Sequence, residues 1–419
     1  MPVAVRVGRA AGWVSRRLGI GAGVVIGGRV TLALAPSALS RLAAGRQVVL
    51  VSGTNGKTTT SHLLAAALRT AGRVAHNATG ANMPDGAVAA LAADRDAPMA
   101  VLEIDELHLA AVAAAVDPAV VVLLNLSRDQ LDRGSEVRAV ASVLAGALAA
   151  HPRTVAVVNA DDPMVVWAAS QSTRASTVWV STGGRWNGDA TSCPRCGTTL
   201  RRGVNVVGSA DGDLWRCRCG LARPVPEWVA AEAAAVTSDG LEIPVGLRLP
   251  GRFNMGNAVT AMAAAAQLGI EPRRAAAAMS QLPDVAGRYT IVTYRGRKLR
   301  LLLAKNPAGW AEMLGLLDEP RPLLVVVNAR EPDGRDTSWL WDVPFEELTG
   351  RPVVAAGEHA ADLGVRLTYA GIEHVTAADP LAAIALLPTG DVDVVANYTA
   401  FHGLRRRLIA ETAGAEATT

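Results

Sequence analysis

Residues 48–60 read VVLVSGTNGKTTT, and few stretches leave a chain less choice of fold. Four apolar residues run into Gly53, Thr54, Asn55 and Gly56, and an alanine-rich helical run, TTTSHLLAAALRTAG, follows Lys57. A short buried strand, a glycine turn and a helix start, in that order, call for a parallel sheet covered on both faces. Glycines let backbone N–H groups wrap an anion, and the helix N-terminus adds its positive dipole end. Lys57 has the reach for the β- and γ-phosphates of ATP, and Thr58 offers a hydroxyl to Mg²⁺; Thr59 completes the loop. The spacing is shorter than the strict P-loop, whose first glycine would fall at Val51. A chance glycine-rich turn is the alternative, and the strand before, the helix after and the Lys-Thr pair speak against it.

The pattern then repeats. AVLEID, AVVVLLNL and TVAVVNADD are further strand-length runs separated by helical stretches. LPGRFNMGNAVTAMAAAAQLG starts a helix that Gly269 ends. A second α/β pattern begins at about residue 286, with LRLLLAK, PLLVVVNA, PVVAAG and VDVVANYT as strands and EHAADLGVRLTYAG and PLAAIALLP as helices. The expected organisation is an N-terminal segment (1–45), a central ATP-binding domain (46–285) and a smaller Rossmann-like α/β domain (286–419). The tail AETAGAEATT is expected to fray.

One stretch interrupts the central domain. All four cysteines fall in CPRCGTTLRRGVNVVGSADGDLWRCRCG, as Cys193-x₂-Cys196, twenty residues, then Cys217-x-Cys219. Two close pairs separated by a hairpin length suit Zn²⁺ held by four thiolates, with Gly197 and Gly220 shaping the knuckles. Four thiolates leave no open position, so such a site is structural. Unligated thiols in a loop are the alternative, although they would be an oxidation liability. The expected insertion spans about 186–226. A nucleic-acid ribbon is a third reading, weakened by a formal net charge of only +3.

Half the residues are hydrophobic and under a fifth charged, enough to bury a large core. No apolar run reaches the roughly 18–20 residues that span a bilayer. The start, MPVAVRVGRAAGWVSRRLGIGAGVVIGGRV, lacks a compact apolar core with a cleavage site. It reads either as a helix packed on the domain or as an amphipathic segment at a membrane surface. The expected location is the cytoplasm, where clustered cysteines favour metal over disulfide, with peripheral contact at the membrane face left open.

These motifs resemble the Mur ligase and folylpolyglutamate synthetase superfamily, whose members join an amine to a carboxylate through an acyl phosphate. LEIDE places Glu103 at a strand end, where the family keeps a Mg²⁺-binding glutamate; Asp105 and Glu106 beside it read equally as solvated. NLSRDQLDRGSE is similar to the family's Asn-x-x-x-Asp-His-Leu-Asp segment, and Gln130 in place of histidine argues against a two-metal arrangement. NADDP carries Asp161 and Asp162, whose local alternative is a helix cap. GRFNMGNAVTA implies Asn254 and Asn257 as adenine-side contacts, and AGRYT implies Arg288 as an ATP contact at a hinge.

Within that superfamily the cysteine insertion and the short segment before the first strand resemble the MurT family, ligase-like subunits of lipid II isoglutaminyl synthase. HNATGANMPDG, NLSRDQLDR, CPRC…CRCG, AKNPAGW and DGRDTSWLWD are similar to MurT motifs in chain order. The resemblance implies ATP-dependent amidation of the α-carboxylate of D-isoglutamate in the lipid II stem peptide, with Lys57 and Glu103 in the catalytic centre. It implies ammonia from a GatD-like glutamine amidotransferase subunit, to which Asp336 is lent across an interface. Locally, Asp336 reads as a helix cap before two core tryptophans. All cysteines lie in the one cluster, so no cysteine here is left to attack glutamine. Lys305, Asn306 and Pro307 read as substrate-facing or as a plain turn, and Asn397, Tyr398 and Thr399 end a late strand of the same domain. The rival readings are an amino-acid ligase of the folylpolyglutamate synthetase type and a non-catalytic ATP-dependent scaffold bearing a zinc ribbon.

Overall fold

The computed structural model describes residues 2–18, 23–128, 136–172, 176–184, 189–203, 215–282, 289–317 and 319–416. The chain folds as two compact units, the first Met1–Ser127 with Glu136–Ala286, the second Arg128–Ser135 with Gly287–Thr419.

The first unit opens with three helices, α1 (Pro2–Arg17), α2 (Val24–Leu34) and α3 (Ala38–Ala43). Its strands are β1 (Gln47–Ser52), β2 (Val74–His76), β3 (Met99–Glu103), β4 (Val120–Leu123), β5 (Val155–Asn159) and β6 (Thr177–Ser181), all parallel. Between them run α4 (Lys57–Arg69), α5 (Pro84–Ala93), α6 (Leu109–Val116), α7 (Val137–Ala150) and α8 (Pro163–Ser170). The chain then leaves the sheet for a two-stranded ribbon, β7 (Arg201–Arg202) and β8 (Trp215–Arg216), and returns as β9 (Trp228–Ala230), β10 (Ala234–Thr237) and β11 (Glu242–Pro244). The strand order is β11-β10-β9-β6-β5-β4-β1-β3-β2. Because β6 pairs directly with β9, through Val180↔Trp228 and Ser181↔Val229, the cysteine stretch is an insertion between neighbouring strands.

Alternate β1 side chains face opposite cores. Val48 and Leu50 pack with residues of α3, α5 and α6, whereas Val49 and Val51 pack under α4 and α9 (Arg252–Ala266), beside which α10 (Pro272–Met279) lies. That two-sided burial is the physical meaning of the unbroken VVLV run.

The second unit pairs β12 (Tyr289–Tyr294) antiparallel with β13 (Arg297–Leu303), followed by β14 (Leu323–Val326), β15 (Val353–Ala356), β16 (His374–Ala377) and β17 (Gly390–Ala396). The order is β12-β13-β17-β14-β15-β16, parallel from β13 onward. Helices α11 (Pro307–Leu314), α12 (Ala360–Tyr369), α13 (Pro380–Ala385) and α14 (Tyr398–Glu416) cover it. The strands and helices quoted from the sequence all form. Helix α14 continues into the tail as far as Glu416, and the last three residues of the tail lie outside the described residues. Among the described residues no helix is long and apolar enough to cross a membrane.

Candidate active site

The β1–α4 turn is held open by two glycines with positive φ, Gly53 (132°) and Gly56 (87°). A Cβ at Gly53 would lie 2.9 Å from Asn125 N and O, and one at Gly56 would lie 2.5 Å from Asn257 Oδ1. Only glycine fits either position. Around the turn sits a cradle that sequence reasoning did not assign. Thr54 N donates to Asn125 O (2.8 Å), Asn55 N to Asn125 Oδ1 (2.9 Å), Asn125 Nδ2 to Asn55 O (3.0 Å) and Ser127 N to Thr54 Oγ1 (3.0 Å). These bonds fix the loop from the segment after β4, directly before the α4 N-terminus, whose dipole end favours an anion.

Lys57 Nζ donates to Gly53 O, to Thr54 O (3.2 Å) and to Glu106 Oε2 (3.2 Å). Glu106 is therefore not the solvated residue of the alternative reading: its side chain is 12% exposed and Lys57's 11%. Asp105 caps its own turn through Leu107 N (3.1 Å).

Glu103 lies at the end of β3, buried, and its Oε2 has no hydrogen-bond partner among the described residues. Thr58, also buried, faces it: a Cβ placed at Gly80 would sit 3.6 Å from Thr58 Oγ1 and 3.8 Å from Glu103 Oε2. A buried carboxylate oxygen without a donor, opposite a hydroxyl beside a phosphate loop, fits a small hard cation such as Mg²⁺. Asn77 holds Glu103 in place, donating to its carbonyl (2.8 Å) and accepting from its N–H (2.8 Å). Nearby, burial, with His62 and Arg69 adding to it, pushes His76 down to about 3, so this imidazole stays neutral.

Asn254 and Asn257 come to the same loop from α9. Asn257 abuts Gly56, while Asn254 Nδ2 donates to Pro250 O (2.6 Å) and its Oδ1 accepts from Asn257 (3.4 Å). Arg288 and Gln130 lie outside the described residues.

The two aspartates of NADDP divide the work. Asp162 caps α8 through Met164 N (2.7 Å) and Val165 N (3.3 Å) and also accepts from Leu126 N (2.7 Å). Burial raises its carboxyl to about 6, against those three N–H groups. Asp161 is not a cap. It accepts from Thr182 N (2.7 Å) and Gly183 N (3.0 Å) and pairs with buried Arg223 (2.8 Å), tying the inserted segment to the sheet.

The insertion brings Cys193, Cys196, Cys217 and Cys219 together with all four Sγ atoms within 4.8 Å of one another. Cys193–Cys219 and Cys196–Cys217 are 3.7 and 3.4 Å apart. A tetrahedral zinc thiolate centre has sulfur edges of about 3.8 Å. Burial pushes Cys193 up to about 12, whereas bonds from Cys219 N–H and the Thr198 hydroxyl pull Cys217 down to about 6. Around the cluster lies a small core of Leu200, Trp215 and Leu221, and Trp215 Nε1 donates to Ala160 O (3.2 Å).

In the second unit, Asp333 anchors the DGRDTSWLWD loop by accepting from Thr399 N (2.9 Å). Asp336 is exposed; its Oδ1 accepts from Ser338 N (2.8 Å), which with the Ser338 hydroxyl holds the carboxyl below its ordinary range. Of the two tryptophans only Trp339 is core. Trp341 is 55% exposed and packs edge-on against Tyr369, ring centres 5.3 Å apart. Asn306 caps α11 through Gly309 N (2.9 Å), and Asn397 clips β17 to β14 through Asn328. Lys305 lies 5.9 Å from the Tyr398 ring centre.

Two families of known proteins match: the Mur ligase middle domain over residues 51–265 and the MurT ligase C-terminal domain over residues 303–401. The chain belongs to the Mur ligase family. It is 29% identical over 388 residues to the MurT subunit of a glutamine-hydrolysing lipid II isoglutaminyl synthase of Streptococcus pneumoniae, covering 87% of this chain and 86% of that protein. The corresponding Staphylococcus aureus subunit is 29% identical over 350 residues, covering 78% of each. Among solved structures, a pseudomurein peptide ligase type C from Methanothermus fervidus superposes with a TM-score of 0.67 at 20% identity, covering 88% of this chain and 79% of that one. Mycobacterium tuberculosis folylpolyglutamate synthase gives 0.58 at 17%, covering 90% and 93%. These two establish the fold alone.

This Mur ligase is thus of the MurT type, an α/β ATP-using ligase with a four-cysteine insertion. Its loop glycines and cysteines were legible from spacing. Glu106 read equally as solvated, and Asn77, Asn125 and Ser127 lay inside quoted motifs without a role of their own, because each acts through a contact with a segment distant in sequence.

Proposed function

We propose that this Mur ligase amidates the α-carboxylate of D-isoglutamate in the lipid II stem peptide, at the inner membrane face, to D-isoglutamine. A carboxylate oxygen of the acceptor attacks the γ-phosphorus of ATP, and ADP leaves. Ammonia then attacks the carbonyl carbon of the acyl phosphate, inorganic phosphate leaves, and nitrogen loses a proton. Lys57 and the positive end of the α4 dipole balance charge on the transferring phosphoryl group. Glu103 and Thr58 would hold Mg²⁺, which, when bound, offsets negative charge on the phosphate oxygens. The four cysteines would hold Zn²⁺ in a structural role, closing the ribbon core around Trp215.

The observation that carries the reading is the donor-free buried oxygen of Glu103 facing Thr58 beside the phosphate loop, in a chain similar to MurT subunits over most of its length. Every cysteine lies in the cluster, so nitrogen from glutamine needs a partner subunit, a GatD-like glutaminase. In that complex Asp336 orients the partner's catalytic imidazole. Its carboxylate is exposed and ionised, and the exposed pair Trp341–Tyr369, reached through the same loop, is the kind of aromatic anchor protein interfaces use.

The test is to incubate the chain with lipid II, ATP and Mg²⁺, supplying ammonium or glutamine, with and without the partner, and to follow ADP and the amide by mass. Amide from ammonium by the chain alone, and from glutamine only with the partner, is expected. Glutamine use without a partner, or ADP formed with no amide under any condition, overturns the reading.

A further inference from the structure

Residues 1–84 contain nine arginines, one lysine and no aspartate or glutamate. The whole chain is +3, so these residues, at +10, outweigh a remainder at −7. The reaction uses Lys57 alone of these cations.

Four of the arginines lie on α1, whose inner face is fixed by glycines. A Cβ at Gly8 would fall 2.4 Å from Gly27 O, and one at Gly12 2.6 Å from Gly23 O, so α1 and α2 pack in near-backbone contact. Ala4, Val5 and Ser15 are buried on the same side. Arg9 ties α1 to the end of α5 through Ala92 O and Ala93 O (3.2 Å each). The opposite face is thereby committed to the outside, and it is not polar. Val3 (70% exposed), Val7 (43%), Val14 (45%) and Leu18 (65%) recur at a spacing that gathers them into a stripe about 60° wide. Arg6 and Arg17 border the stripe, with Trp13 beside them, half exposed, the Arg17 guanidinium 4.9 Å from its ring centre.

We propose that α1 is a docking helix for the surface of an anionic phospholipid bilayer. The stripe is convex and one residue wide. A folded protein would need a matching groove to cover it, whereas acyl chains close around it without one. The bordering guanidiniums meet lipid phosphates at the depth where Trp13 places its amphipathic ring. Neither α1 nor α2 carries a carboxylate, and the acidic groups of the adjoining α5 segment are paired, Asp85 with Arg29 (3.5 Å) and Asp94 with Arg73 (2.5 Å), which limits the repulsion an anionic surface would exert. The proposal does not rest on the amidation reading.

The test is flotation of the full chain, without nucleotide or acceptor, with vesicles of phosphatidylglycerol and phosphatidylcholine or of phosphatidylcholine alone. The chain is expected to float with the anionic vesicles, less so at high salt, and to stay behind with the neutral ones. Val7→Asp with Val14→Asp, and separately Arg6→Glu with Arg17→Glu, should each lower the bound fraction at least about tenfold. These side chains are exposed, so melting temperature and ATP binding should match the parent. A parent chain that ignores anionic vesicles, or a Val7→Asp, Val14→Asp variant that floats as well as the parent, overturns the proposal. So does a concentration-dependent dimer, abolished by the same variant, without flotation: the stripe would then be covered by a second copy. Loss of flotation leaves amidation untouched, and failed amidation leaves flotation untouched.

Discussion

Replacing Glu106 by glutamine should tighten nucleotide binding. In the structure Lys57, the cation proposed to meet the terminal phosphates, is held by Glu106 at 3.2 Å with both side chains about nine-tenths buried. A nucleotide therefore has to exchange one anion for another at Nζ. Two unit charges at that distance attract by roughly 5 kcal/mol at an effective dielectric of about 20. Desolvation consumes most of this, and a hydrogen bond to a charged group nets about 1.5–3 kcal/mol. The amide of the Glu106→Gln variant keeps the shape and an acceptor but loses the charge, and it also relieves repulsion between the carboxylate and the triphosphate. At about 1.4 kcal/mol per decade, affinity should rise about tenfold to a hundredfold. Calorimetric titration of Glu106→Gln and parent with a non-hydrolysable ATP analogue and Mg²⁺ measures it. An unchanged or weaker affinity, in a variant that melts like the parent without nucleotide, would refute the exchange argument and make Glu106 part of the cation's surroundings instead.

Asp336→Asn should spare ammonium-driven amidation in the complex and lower the glutamine-driven rate at least about a hundredfold, as for other orienting carboxylates; equal loss in both assays would end the proposed role. Cys217→Ser should lower bound zinc and expose Trp215, read as a red-shifted emission on comparison with a Trp215→Phe control; full zinc content with an unchanged melting curve would contradict a structural centre. Asp162 gives a pH signature. Its carboxyl is raised to about 6 from 3.8, so the folded chain binds a proton that the unfolded chain takes up only at lower pH. Between pH 7 and 4 the parent should gain about 2 kcal/mol relative to Asp162→Asn, the gain growing as pH falls, and parallel unfolding profiles would dismiss it. Arg300→Met should cost about 3–5 kcal/mol, because it strands Asp393, fully buried and paired at 2.7 Å, whereas adding Asp393→Leu should recover most of that loss in chemical denaturation.

Sequence alone determined whatever is written in neighbouring residues. The β1–α4 glycine turn is local: Gly53 and Gly56 free the backbone, Lys57 reaches back to Gly53 O four residues away, and an unbroken VVLV announces a strand covered on both faces. The cysteine pairs are legible for the same reason, since a knuckle is a short-range turn. The first two helices were half legible. Their amphipathic pattern can be read, but which face turns inward depends on glycine contacts between α1 and α2. Tertiary structure decided the rest. Asn125 meets the loop across a separation of seventy residues, Asn77 locks Glu103 across twenty-six, and Arg223 finds Asp161 across sixty-two. Each is one polar residue with no periodicity to mark it. Parallel strands force the chain through long crossovers, so the groups that meet at one sheet edge are necessarily far apart in sequence.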